Sequence, residues 1–413
     1  MALKSKVIKS ARSLLLRSNI ALRLFKGFIC ILLCFCLCGC YSHTDEISHK
    51  DRAYSGGIWF TYLEIEEMLK SDKGFKRSFS EALDNCERVN ISDIYLHTRA
   101  FCASIYPSAY FPETNSSKNF DGDILSFATE ECHKRGMRIH AWINPYRISN
   151  QTSDIENIDK NSPAYIWLHD NDKSNDRFVS FTQNGIYLNP CENEARRLVI
   201  NGIREILLNY KVDGIHFDDY FYPTKEGSFD AESYAIYTAD NQSPLPLDEW
   251  RRANVNTLIS SSYTAIKFIS KDIIFSISPA ASIEKNFSDL YADVAAWAQN
   301  CCIDYIMPQI YFGFSYPADE YKFQNLISVW EDFSKAHNTP LVIGLAAYKI
   351  GSKEENDIEW SENNDILSKQ IKFCKQSENI KGYCFFSYSS LFSNADRNEQ
   401  ELNNILKELS NEQ

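Results

Sequence analysis

The stretch VDGIHFDDYFYP, residues 212–223, closes a short apolar run with two adjacent carboxylates, Asp218 and Asp219. His216 stands two residues before them, and Tyr220 and Tyr222 follow. A carboxylate pair at a strand end suits acid–base chemistry, in which one group gives a proton while the other stays an anion beside a developing positive charge. Cleavage of a sugar linkage asks for both, together with oriented donors for hydroxyls and aromatic faces for the ring.

Strand parity sorts the neighbours. Side chains alternate along a strand, so His216 and Asp218 share one face while Ile215 and Phe217 share the other. The apolar pair must meet covering helices, which turns His216 and Asp218 inward and leaves Asp219 to begin the loop. The same parity places His140, Trp142 and Asn144 inward in RIHAWINPYR, and His97 with Arg99 inward in YLHTR. DYIMPQIYF adds Gln309 and Tyr311. Asp218 and Asp219 are thus the candidate catalytic residues. His97, Arg99, His140, Asn144, His216 and Gln309 are expected to bind hydroxyls or hold the carboxylates, with Trp142, Tyr220, Tyr222 and Tyr311 as stacking faces.

Blander readings compete with this one. An Asp-Asp pair also serves as a helix cap or as partner to a buried arginine such as Arg99 or Arg147. His140 or His216, taken singly, reads as a satisfied core histidine. Metal-dependent hydrolysis would show HxH on one strand and further ligands on later strands. Here His97-Thr98-Arg99 sets a cation where a metal would sit, so neither metal nor cofactor is expected.

Eight apolar runs position these residues: 57–62, 91–97, 137–143, 212–218, 273–278, 303–310, 341–346 and 382–387. Amphipathic patterns over 75–89, 124–135, 193–210, 247–270, 290–299, 322–336, 365–376 and 396–409 alternate with them. That alternation predicts a (β/α)8 TIM barrel with extended loops after strands 3 and 4, whose site lies at the carboxyl ends of the strands. A doubly wound open sheet would need a Gly-rich turn after its first strand, and LEIEEMLKSDKGF supplies none. No second domain is expected beyond a single body over 54–413.

The amino terminus carries seven basic residues and then FICILLCFCLCGC. This is the layout of a signal peptide over 1–39, ending in a lipoprotein-type box with Cys40 as the acylated residue and 40–53 as a polar tether. An uncleaved anchor is the alternative, and both place the remainder outside the cytoplasm, touching the membrane only through the anchor. Net charge is −12, and −19 without those seven residues, which disfavours nucleic acid as a partner. Five of the 13 cysteines fall in the signal segment, and the other eight show no paired CxxC pattern of a zinc site.

Taken together, DGIHFDDYFYP, HAWINPYRI, LDEWRRANVN and DYIMPQIYF resemble the glycosyl-hydrolase-like family 10, in order, from about Gly57 to Leu391. The resemblance implies the same barrel, export or lipid anchoring, and cleavage of glycosidic bonds. Its implied substrate is peptidoglycan glycan stripped of stem peptides. It gives Asp218 the role of nucleophile or charge stabiliser and leaves Asp219, Glu64 and Glu284 as proton donors, Asp219 being nearest in sequence. Two positions depart from the family's pattern: Ala103 stands for an acidic residue and Ala281 for a glycine. They motivate a second reading, a sugar-binding surface lipoprotein without turnover.

Overall fold

A computed structural model describes residues 55–354, 357–392 and 396–410. The expected signal peptide, tether and Cys40 lie outside the described residues. Eight parallel strands close on themselves: β1 (Ser55–Phe60), β2 (Ile91–Arg99), β3 (Arg138–Ile143), β7 (Gly214–Phe217), β8 (Ile274–Ile277), β9 (Tyr305–Ile306), β10 (Leu341–Leu345) and β11 (Ile380–Phe385). Each coincides with one of the eight apolar runs, and helices cover the barrel from outside. The fold is the (β/α)8 barrel expected from the alternation.

Parity holds across most of the closed sheet. Trp59, Tyr95, Trp142, Tyr305, Met307, Val342 and Cys384 form one buried cluster that plugs the interior. Ile58, Phe60, Ile94, Leu96, Ile143, Ile215 and Phe217 belong to the larger core between strands and helices. Each fully buried side chain of this kind contributes about 1.5–3 kcal/mol by leaving water. Gly214 opens β7 where a Cβ would sit 2.2 Å from His140 Nδ1, so the inward histidine of β3 requires glycine there.

The loop after β3 is long and carries a three-stranded antiparallel sheet, order β4 (Arg147–Ser149), β6 (Gly185–Leu188), β5 (Val179–Thr182), and a helix over Pro163–His169. The loop after β7, the fourth barrel strand, carries the helix Ala231–Asp240. Three boundaries differ from expectation. The first strand stops at Phe60, because Thr61 and Glu64 form a reciprocal capping box that starts a helix over Tyr62–Lys70. The sixth strand is only Tyr305–Ile306, since Pro308 has no N–H to extend the ladder. The helix expected over 290–299 is the shorter Val294–Gln299, preceded by a separate helix Ile283–Asp289; between them Tyr291 takes φ 54° and Asp293 caps Ala296.

Candidate active site

Asp218 lies one residue past β7 and is 3% exposed. The register pairs His216 with Trp142 of β3 and with Ser276 of β8, so neighbouring strands deliver their inward groups to the same level. Trp142 Nε1–H donates to Asp218 Oδ2 at 3.0 Å, and Asn144 Nδ2 donates to the same oxygen at 3.3 Å. Oδ1 has no hydrogen-bond partner among the described residues. Below, Trp59 Nε1–H donates to His216 Nε2 at 3.2 Å, so Nδ1 carries the proton and donates to Ser276 Oγ at 2.8 Å. His216 is therefore a neutral, fully engaged support, and burial holds its pKa well below the usual range.

His97 packs face to face on Trp142 with centroids 3.6 Å apart, and neither ring nitrogen has a partner among the described residues. Burial, then the nearby Arg147 charge, keeps it neutral. Gln309 is partly exposed and donates to the Ser278 carbonyl at 3.0 Å beside Asp219. Tyr311 stands edge-on to Tyr348 and inclined to Phe386, with centroids 5.8 and 5.9 Å away. Tyr220 is 51% exposed and lies over the Arg147 guanidinium. The structure thus gathers Asp218, Asp219, His97, Trp142, Asn144, Tyr220, Gln309 and Tyr311 around the carboxyl ends of β2, β3, β7 and β9, while His216, fully buried with both nitrogens taken, neither reaches a sugar hydroxyl nor holds a carboxylate as expected.

Three expected site residues stand elsewhere. The β2–β3 register shifts between His97 and Arg99, which reverses parity. Arg99 accordingly leaves the interior and packs its guanidinium 4.2 Å over Phe111, under Gly202 of the helix Asn193–Asn209. His140 is wholly buried one layer deeper, bonded to Asp93 at 3.0 Å and stacked on Tyr95, with no access to a substrate. Tyr222 is 1% exposed against Tyr291, Phe229 and Arg251, so it packs a loop and offers no free face. Of the other proton donors considered, Glu64 is tied to Thr61 N, Ser387 Oγ and Ser389 N, and Glu284 is exposed on the outer helix Ile283–Asp289.

One residue of the site, Arg147, reads in the sequence only as a buried arginine that the carboxylates would partner. Arg147 is 8% exposed, held between the rings of Phe101 at 4.8 Å and Tyr220 at 4.6 Å, with Nε–H donating to the Ala100 carbonyl at 3.3 Å. Its place in NPYR, three residues beyond Asn144, is the available signal; the clamp of two rings from distant loops is not written locally.

Both carboxyls hold protons more tightly than usual. Burial pushes Asp218 up to about 7, with the Asp219 charge adding and Arg147 and the Trp142 donor opposing. Burial likewise pushes Asp219 up to about 6, opposed by Gln309 and by Arg147. Such a pair shares one proton near neutral pH, leaving one acid and one anion side by side. With the half-exposed ring of Tyr220 beside it, that is equipment for protonating a leaving oxygen and steadying a cationic sugar.

The profile of the family described as glycosyl hydrolase-like 10 matches residues 56–362. Glycosyl hydrolase YngK of Bacillus subtilis is 32% identical over 345 residues, 78% of this chain and 65% of that protein. The chain thus spans less than two thirds of that relative's length. Glycosyl hydrolase DigH of Escherichia coli K12 is 30% identical over 342 residues, 75% of each chain. Among solved structures, the glycoside hydrolase domain of PgaB (BpsB) from Bordetella bronchiseptica superposes with a TM-score of 0.58 at 13% identity, covering 84% of this chain and 98% of that one. The catalytic domain of a Paenibacillus polymyxa β-amylase gives 0.57 at 10%, covering 86% and 98%. At such identities the likeness is one of fold.

Proposed function

The chain belongs to the glycosyl hydrolase-like 10 family, and from that premise we propose that it cleaves O-glycosidic bonds in a cell-wall polysaccharide by means of the Asp218–Asp219 pair. The observation that carries this reading is the hold on Asp218 at the end of β7: its donors, Trp142 and Asn144 on Oδ2 among them, are neutral N–H groups, and among the described residues it forms no ion pair. Donors that cannot titrate stabilise an anion without neutralising it, so Asp218 serves as nucleophile or charge stabiliser opposite the anomeric carbon. Asp219, where the loop begins, serves as general acid. Burial makes Asp218 the more basic of the two. A sugar that develops positive charge against Asp218 favours its ionised form and moves the shared proton to Asp219.

Glycan strands freed of stem peptides are the proposed substrate, in keeping with the family resemblance of the strand-end motifs. The same proposal anchors the protein outside the cytoplasm through Cys40, as the basic-then-apolar amino terminus suggests. Gln309, Tyr220 and Tyr311 offer donors, acceptors and faces to such a strand, while His97, buried against Trp142, backs the site. The test is to incubate the purified full-length protein with denuded glycan strands and count new reducing ends against pH. The expected profile of kcat/KM is a bell whose limbs lie near about 6 and about 7, because activity needs one proton on the pair. Binding without new reducing ends, unchanged by Asp218→Asn, would instead favour the sugar-binding reading that Ala103 and Ala281 motivate.

A further inference from the structure

Arg147 is an unusual cation. A buried arginine normally meets a carboxylate, as Arg251 meets Asp230 in this fold. Arg147 forms no salt bridge with any carboxylate among the described residues; two ring faces and one carbonyl hold it instead. Its backbone has a second engagement: the N–H donates to Asn144 Oδ1 at 3.2 Å, and the other end of that amide donates to Asp218 Oδ2. Flipping the Asn144 amide would break both bonds at once, so the Arg147 backbone fixes which end of Asn144 meets the carboxylate.

The groups facing the pair and Arg147 leave little other charge. His97 comes from β2, His216 from β7, Tyr220 from the loop after β7, Tyr187 from β6 and Tyr311 from the segment after β9. Burial keeps both histidines neutral and holds the three tyrosines above their ordinary range. All five are therefore uncharged near neutral pH. Arg147 stands 4.6 Å over the ring of Tyr220, the residue next to Asp219, and is linked through Asn144 to Asp218, so its charge acts on both aspartates.

We propose that Arg147 is a positioning residue of this site: clamped between Phe101 and Tyr220, its charge determines how many protons the Asp218–Asp219 pair holds, and its backbone N–H orients the Asn144 amide toward Asp218. This rests on the glycosidase reading above. A fixed positive charge favours the ionised form of each carboxyl, so it keeps the pair at a single proton through neutral pH. Without it the second proton would stay on to higher pH, and the acid–anion division would be lost where it is needed. The aromatic clamp keeps the guanidinium from moving out to water, so the charge stays fixed as substrate enters.

The experiment is the pH profile of kcat/KM for full-length Arg147→Met on denuded glycan strands, with Arg147→Lys alongside. Arg147→Met is expected to move both limbs upward by about one pH unit, the lower end of what one nearby charge does. At pH 6 this lowers kcat/KM by about fivefold, since the unsubstituted protein is already at its own lower limb there. Arg147→Lys keeps a charge and is expected to hold the limbs within about 0.3 unit while losing rate. Carboxyl titration followed by infrared difference spectroscopy without substrate should show the same upward shift. Limbs and titration unmoved in Arg147→Met, or in the second neutral variant Arg147→Gln, would overturn the proposal whatever happens to rate or melting temperature. So would failure of both neutral variants to fold, since a residue that sets protonation is dispensable to the fold. Absence of turnover by the unsubstituted protein would count against the glycosidase reading, while the infrared titration would still decide the role of Arg147.

Discussion

Asp218 and Asp230 lie on the same stretch of chain after β7, are 3% and 2% exposed, and are held in opposite ways. Asp230 receives Arg251 Nε–H at 2.8 Å and Nη2–H at 2.6 Å, a bidentate ion pair. Arg251 also donates to the Tyr291 hydroxyl and to the Lys225 and Glu226 carbonyls. Every charge there is matched, and the result is a pinned loop. Asp218 is held by neutral N–H groups, those of Trp142 and Asn144 on one oxygen among them, and by no ion pair among the described residues. A buried carboxyl left short of a counter-charge is expensive to the fold and is kept where chemistry uses it.

Substitutions can break this contrast. The largest effect is expected from Asp218→Asn, with turnover on denuded glycan falling at least about 10³-fold while the protein stays folded, since the residue's charge serves the reaction. Asp230→Asn should do the converse, leaving Arg251 unpaired and costing about 3–5 kcal/mol of stability in urea melts. Its remaining folded fraction should keep turnover. Equal losses of activity per folded molecule in the two variants would erase the distinction.

A smaller effect sharpens it. Trp142→Phe removes one of the two donors on Oδ2, so turnover should drop by about tenfold, at the mild end for a lost donor to a reacting group. The upper limb of the pH profile should rise as well, because Trp142 favours the ionised form.

Stability against pH gives a gentler measure. The folded-state pKa of Asp218 is raised from its ordinary value to about 7, so the folded protein binds its proton more tightly than the unfolded chain does. Its contribution is fully present below about pH 4 and is lost as pH rises through 7. Asp218→Asn should therefore melt about 2–4 °C higher than the unsubstituted protein at pH 8 and about level with it at pH 4. The smallest change is expected for Tyr220→Ala, which removes an exposed stacking face. KM should rise a few-fold, with kcat nearly kept, as one sugar contact of about 1 kcal/mol is lost.

Much of this was legible before any coordinates, and the physical reason differs by region. Parallel strands buried on both faces read as apolar runs, so all eight barrel strands stand out from Ser55 to Phe385. Parity then gives the right orientation for Trp142, Asn144, His216 and Asp218, because β3 and β7 pair without a shift. Arg99 goes astray because the shift after His97 depends on pairing with β3, which no local pattern records. Tyr222 and Tyr220 are alike in sequence, yet one is buried by Arg251 and Tyr291 and the other is open, a difference made by distant chain. The sheet of β4, β5 and β6 is too short and irregular to announce itself, so the long loop was expected but not its content.

The stacked pair of Trp142 and His97, with the indole N–H bonded to Asp218, has a practical consequence. An indole whose neighbours change charge and hydration changes its emission, and this one is bonded directly to the candidate carboxylate. The molecule therefore carries a built-in optical gauge: intrinsic fluorescence should report both the titration of Asp218 and the arrival of a ligand, with no dye attached. Comparison with Trp142→Phe would separate that signal from the other six tryptophans.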